Sequence, residues 1–199
     1  MKSSNEITLK IKGTIEDFQK ILKEKGYINT EHFILYDTFM ILNSLDIAKM
    51  STREIISNAI IIREVEDICE NEIRKNVIYK IKKFNENGEI IEQKTIRMKI
   101  FDCLEAEIFF QTIGFKKIMN ITEEDYGYQK GNIDLMTKDI KNGDKMIEVE
   151  TQDNIKSLNT IDGLKETLKA ENLPLDFKDC FIKKAEIELN KILKRKNTN

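Results

Sequence analysis

The sequence predicts an α+β fold: a closed antiparallel β-barrel built from two strand–helix–strand halves, with helices packed outside it and two further helices at the C-terminal end. Three observations carry that prediction. Short segments alternate polar and apolar residues at the period of a strand. One strand-then-helix unit is written twice, and many strands carry charges on one face, which closure of the sheet would place in a wet interior.

Residues Glu6 to Lys12 place Glu6, Thr8, Lys10 and Lys12 on one face and Ile7, Leu9 and Ile11 on the other, the pattern of a strand. Thr14 is a helix N-cap candidate, and Ile15, Phe18, Ile21 and Leu22 follow at helical spacing up to Gly26. The unit recurs from Ile96 to Phe101, with Asp102 as cap candidate and Leu104, Ile108, Phe109 and Ile113 leading to Gly114 and Phe115. Lys10 and Lys99 hold equivalent places 89 residues apart, a spacing that reads as a duplicated half and not as a solenoid repeat.

Further strands are expected at Phe33 to Ile41, Ala59 to Val65, Val77 to Lys83, Ile90 to Lys94, Tyr126 to Lys130, Ile133 to Asp139 and Met146 to Gln152. Asn87-Gly88 and Asn142-Gly143 are dipeptides that favour tight hairpins, so their flanking strands should pair antiparallel. From about Leu158 to Lys194 the chain reads as two helices broken at Leu173-Pro174, and residues 194–199 should fray.

With 199 residues the chain can bury one sizeable core, and no composition shift marks a linker, so residues 1–199 are read as a single domain with its core at about 5–193. The 33 basic and 35 acidic residues nearly cancel, which gives no global attraction to nucleic acid or to an anionic membrane. Any anion site must therefore be local. Cys69, Cys103 and Cys180 are odd in number and lack CxxC spacing, which favours a reducing compartment. The first residues lack the apolar centre of a secretory signal and no run of about 18 apolar residues occurs, so a cytoplasmic location is expected. A homodimer is compatible with the sequence, but no residue designates an interface.

Glu148 and Glu150 share one face of a strand, and with Glu6 they could converge on a divalent cation, which takes oxygen ligands. Lys10, Lys12, Arg63, Lys80 and Lys82 also alternate on strands, and several cations facing one cavity would suit a polyphosphate. Each pattern equally describes a solvated strand face. His32 lies beside a strand start without a second histidine or a cysteine partner, which points to a surface role. No P-loop and no GxGxxG is present.

The strand order resembles that of the CYTH family, which includes class IV adenylate cyclases, thiamine triphosphatases and inorganic triphosphatases. Glu6-Ile7-Thr8-Leu9-Lys10 is similar to the family's ExExK motif with threonine for the middle glutamate. Tyr36-Asp37-Thr38-Phe39, Ala59-Ile60-Ile61-Ile62-Arg63, Tyr79-Lys80-Ile81-Lys82 and Ile147-Glu148-Val149-Glu150 follow in family order, and Leu173-Pro174-Leu175 resembles the family's C-terminal end.

The resemblance implies a barrel of eight strands that binds a triphosphate inside. Glu6, Glu148 and Glu150 would then hold Mg2+ or Mn2+, Lys10, Lys12, Arg63, Lys80 and Lys82 would hold phosphate, and Glu6, Lys10, Glu148 and Glu150 would be the catalytic set. It implies a metal-dependent phosphohydrolase acting on inorganic triphosphate or on a nucleoside or thiamine triphosphate. The alternatives are a class IV adenylate cyclase making cyclic AMP from ATP, and a protein that binds a phospho-ligand without turning it over. Thr8, Ile61, Thr95, Arg97 and Lys99 depart from the family pattern. Because Glu123, Glu124 and Asp125 stand where the family places basic residues, Arg97 and Lys99 are expected to pair with them across a charge-swapped interior.

Overall fold

The computed structural model describes residues 6–84, 90–180 and 183–196, and shows a nine-stranded sheet in the order β5-β4-β3-β2-β6-β7-β8-β1-β9. The strands are β1 (Glu6–Ile11), β2 (Ile28–Leu42), β3 (Ile60–Asp67), β4 (Glu72–Phe84), β5 (Ile90–Lys99), β6 (Phe115–Lys130), β7 (Ile133–Ile140), β8 (Lys145–Glu150) and β9 (Leu175–Asp176). The helices are α1 (Ile15–Glu24), α2 (Thr52–Ser57), α3 (Cys103–Thr112), α4 (Ile161–Ala170) and α5 (Lys184–Lys196), with one 3-10 turn at Ile47–Lys49. The chain divides into two compact units, residues 1–33 with 123–183 and residues 34–122 with 184–199.

In the first unit β1 lies between β8 and β9, both antiparallel to it, with Ile7 opposite Val149 and Leu9 opposite Ile147. This apolar face is covered by α1, which begins where Thr14 accepts the backbone N–H of Asp17 at 3.1 Å and buries Ile15, Phe18 and Leu22. Leu164 and Leu168 of α4 and Leu173 and Leu175 join the same core. The chain leaves α1 through Gly26, at φ 83, a left-handed turn that a side chain would strain.

In the second unit β3, β4 and β5 form a meander in which Ile62 faces Val77 and Val77 faces Met98. The inward side of α3, with Cys103, Ala106 and Phe110, packs on Met40, Ile62 and Val77. Asp102 caps α3 as its position suggested, accepting the N–H of Glu105 at 2.9 Å. Helix α2 was not anticipated, although Ser51 and Glu54 form a capping box, the S-x-x-E signature of a helix start.

The closed eight-stranded barrel is overturned: among the described residues the sheet is open, with β5 and β9 at its edges. Closure would need a ladder between these two strands, and β9 is only two residues long. The charged faces that argued for closure are compensated locally, by ion pairs described below.

Three strands clearly exceed their predicted length. β2 begins at Ile28, β4 at Glu72, and β6 runs from Phe115 through Glu123-Glu124-Asp125, residues whose β-propensity is low but whose neighbours neutralise them. Ile90 to Lys99 is a single strand and not two. The Asn87-Gly88 turn lies outside the described residues, as do Phe181 and the last three residues of the tail.

Gly127 sits inside β6, where a strand interior normally rejects glycine. A Cβ there would lie 2.9 Å from Glu31 Cβ and 3.1 Å from Thr30 Oγ1, so the close approach of the chain demands glycine. Gly127→Ala is expected to lower stability by about 1–3 kcal/mol, read as a shifted midpoint in urea unfolding; an unchanged midpoint would show that the neighbouring backbone yields freely.

Candidate functional site

The polar face of the first unit is set by strand register. Glu6 stands opposite Glu150 and Thr8 opposite Glu148, and the ladder continues from Glu148 to Met136 and from Met146 to Lys138. Lys138 in turn stands opposite Asp125. The three carboxylates proposed as a set, Glu6, Glu148 and Glu150, thus share one face because partners in an antiparallel ladder point the same way.

Lysines occupy that face with them. Lys138 Nζ lies 3.1 Å from Asp125 Oδ2 and 3.7 Å from Glu148 Oε2, and Glu6 Oε1 lies 3.7 Å from Lys183 Nζ. Lys10 is held by Asp144 at 3.0 Å, and Lys12 is exposed beyond the end of β1. Among the described residues no three His, Cys, Asp or Glu side chains are placed together to hold a metal ion.

Lys138 is the centre of this arrangement and was missed in the sequence. Its whole residue is 8% exposed. Burial pulls its ammonium toward neutrality, but Glu123, Asp125 and Glu148 outweigh that pull and hold its pKa above the ordinary lysine range. The available signal was one lysine on the alternating face Asp134, Met136, Lys138 of an otherwise half-apolar strand.

Two of the acidic residues expected to meet Arg97 and Lys99 have partners within the first unit. Asp125 is met by Lys138 on the next strand. Glu124 lies on the opposite face: its Oε1 accepts the Tyr126 hydroxyl at 2.6 Å, and His32 Nε2 lies 2.7 Å away. A carboxylate can only accept, so His32 donates there, with its ring stacked on Tyr126 at 4.2 Å. His32 is thus an anchored side chain and not a free surface group. The Tyr126 hydroxyl, aided by His32, keeps the Glu124 carboxyl below its usual range against a smaller opposing effect of burial.

In the second unit the basic residues gather on one face of β3, β4 and β5. Arg63 stands opposite Asn76, and Asn76 opposite Lys99; one row along, Ile61 stands opposite Ile78 and Ile78 opposite Arg97; Lys80 stands opposite Thr95. Neighbouring strands are about 4.8 Å apart and same-face rows about 6.7 Å apart, so these four cations occupy roughly 10 by 13 Å, the scale of a triphosphate chain. Lys82 follows on β4 opposite Gln93, and its side chain lies outside the described residues.

Arg63 is not simply a cation awaiting an anion. Its Nε and Nη2 reach Asp37 at 2.6 and 2.5 Å, a two-point grip on a carboxylate that is 2% exposed, and Lys184 Nζ approaches the same group at 4.0 Å. Asp37 lay in a quoted motif, and the signal for its role was a lone charge within the apolar run from Phe33 to Ile41.

Two predictions follow from the first unit's ion pairs. Lys138→Met leaves three carboxylates with a buried apolar neighbour and should cost about 3–5 kcal/mol. Protonating these carboxylates would relieve part of that cost, so the deficit should shrink as pH falls toward 4; a deficit independent of pH in urea titrations would assign the loss to packing instead. For Glu124 the sign is opposite. Its folded pKa is depressed, so the stabilisation it supplies is present above the unfolded value of about 4.3 and lost as pH falls through the folded one. The difference in Tm between the protein and Glu124→Gln should therefore be constant near neutrality and close on acidification.

No family model and no curated protein matches the chain. Solved structures do. The PH1819 protein of Pyrococcus horikoshii OT3 is 18% identical, over 94% of this chain and 99% of its own, with a TM-score of 0.66. A candidate adenylate cyclase from Vibrio parahaemolyticus is 11% identical over 94% and 97%, with a TM-score of 0.59. HpAC1 from Hippeastrum, described by a dominant triphosphatase activity, is 13% identical over 88% and 91%, with a TM-score of 0.52. The chain thus shares its fold with the cyclase and triphosphatase group, and the CYTH resemblance of its strand motifs is borne out at the level of that fold.

Proposed function

We propose that the chain is a CYTH-like domain that binds the polyphosphate of a triphosphate-containing small molecule and cleaves it hydrolytically. The observation that carries this reading is the gathering of Arg63, Lys80, Arg97 and Lys99 on one sheet face, spaced for a phosphate chain. The triphosphatase activity described for HpAC1, a protein of the same fold, supports the choice of reaction. Arg97 and Lys99 join the basic residues expected from the resemblance. Lys10, Lys12 and Lys82 stay in the proposed phosphate-binding set, and Glu6, Glu148 and Glu150 in the proposed acidic set.

A second reading, binding without turnover, is favoured by the ion pairs. Glu148 is turned to Lys138 and Arg63 is gripped by Asp37, so two groups expected to serve metal and phosphate already have partners. Adenylate cyclase activity has the support of the descriptions of the Vibrio parahaemolyticus protein and of HpAC1, itself named a candidate adenylyl cyclase. No helix among the described residues is long and apolar enough to cross a membrane.

Phosphate release from tripolyphosphate, ATP and thiamine triphosphate, with and without Mg2+ or Mn2+ and with chromatography for cyclic AMP, separates these readings. Metal-dependent release that disappears in Glu148→Gln/Glu150→Gln is the expected outcome; binding without release supports the second reading, and cyclic AMP identifies a cyclase. Replacing both Arg97 and Lys99 with alanine should weaken tripolyphosphate binding by about tenfold to a hundredfold in calorimetry, since each charge-assisted contact contributes about 1.5 kcal/mol or more. Unchanged affinity would remove this face from the site.

A further inference from the structure

Helix α3 does not hide its apolar residues. Leu104, Ile108 and Phe109 are 67%, 53% and 59% exposed, and Phe101, which leads into the helix, is fully exposed. A helix that packs on one side and still exposes several large apolar side chains among its polar ones is shaped to be covered. By contrast α1, in the other unit, buries its apolar side and shows charged residues elsewhere.

Beside it runs a strand edge whose backbone is open. β5 is the last strand of the sheet and pairs with β4 alone. Every residue from Lys94 to Lys99 is exposed, on both faces. Natural edge strands are blunted by proline, a bulge, extreme shortness or charged side chains, and of these devices the stretch 94–99 carries only charge, at Lys94, Arg97 and Lys99. This stretch has no proline, and its ladder with β4 shows an irregularity only at Lys83 and Phe84, away from it. Ile96 and Met98, 49% and 56% exposed, stand opposite Tyr79 and Val77, on the face that α3 covers one strand further in. The apolar surface and the open backbone edge are therefore contiguous.

We propose that β5 and α3 form the docking surface for a second copy of this chain, joined by antiparallel pairing of β5 with its own copy about a two-fold axis. A partner must offer both a strand edge and an apolar surface beside it, and the same face of another copy offers both in the required order. Pairing centred on Ile96 sets that residue beside its own copy, Thr95 opposite Arg97 and Lys94 opposite Met98, so no like charges stand directly opposite and the two Arg97 meet only as diagonal neighbours. Centring on Arg97 instead would oppose two guanidinium groups. Taking about 200 Å2 for a fully exposed large side chain, the six apolar residues named here offer on the order of 800 Å2, the area each partner contributes to a stable interface.

Analytical ultracentrifugation of the full chain tests this. A dimer is expected at about 100 µM, a concentration that fills most of a complex whose Kd is about 10 µM. Leu104→Glu with Ile108→Glu changes two exposed side chains, so it should retain the parent Tm while weakening self-association at least tenfold. Ile96→Cys in a Cys69→Ser background should oxidise to a covalent dimer. A monomeric parent chain at that concentration overturns the proposal and leaves the face to a different protein. A dimer untouched by the double substitution overturns it as well, and one that dissociates but never crosslinks through residue 96 overturns the β5 pairing.

Discussion

Strands buried on both sides can carry charge only where an opposite charge is buried with it, and the first unit is organised around that constraint at Lys138. One lysine holds Asp125 on one neighbouring strand and Glu148 on the other, while Glu123 adds its field. The lysine therefore does more than satisfy a pair: it makes the polar sides of β6, β7 and β8 mutually tolerable, which lets their other sides pack on the helices. Asp37 and Arg63 perform the same service in the second unit, with Lys184 as a third member.

These pairs bear directly on chemistry. A carboxylate already facing an ammonium group is a poorer metal ligand than a free one, and a guanidinium engaged at two nitrogens has fewer donors left for phosphate. The exposed cations Arg97 and Lys99 carry no such engagement in the geometry described. Their position opposite Ile78 and Asn76 puts the basic character of the sheet nearer its β5 edge than the family motifs suggested.

Much of the fold was legible because the relevant signals are local. Thr14 and Asp102 begin their helices as their residue types dictate, and β1, β7 and β8 alternate as written. What the sequence could not reveal were the effects that depend on which strand lies beside which. The run Glu123-Glu124-Asp125 reads as a loop until Lys138 is known to sit across from it, and its middle member belongs to the other face with His32 and Tyr126. Closure failed for the same reason: alternation gives the faces of a strand, but only the pairing of the edge strands decides whether a sheet becomes a barrel, and β9 is too short to complete it.

The place of β1 has a consequence for how the chain is made. It lies between β8 and β9, strands that begin at Lys145 and Leu175, so β1 acquires its neighbours from segments made long after it. Pairings so distant along the chain close slowly. The continuous stretch 34–122 pairs β3, β4 and β5 locally and awaits only α5, while β1, with Ile7, Leu9 and Ile11, has none of its strand partners. Exposed apolar strands of that kind are what chaperones hold during synthesis, so the N-terminal strand is the segment of this protein that most needs shelter before it has a fold.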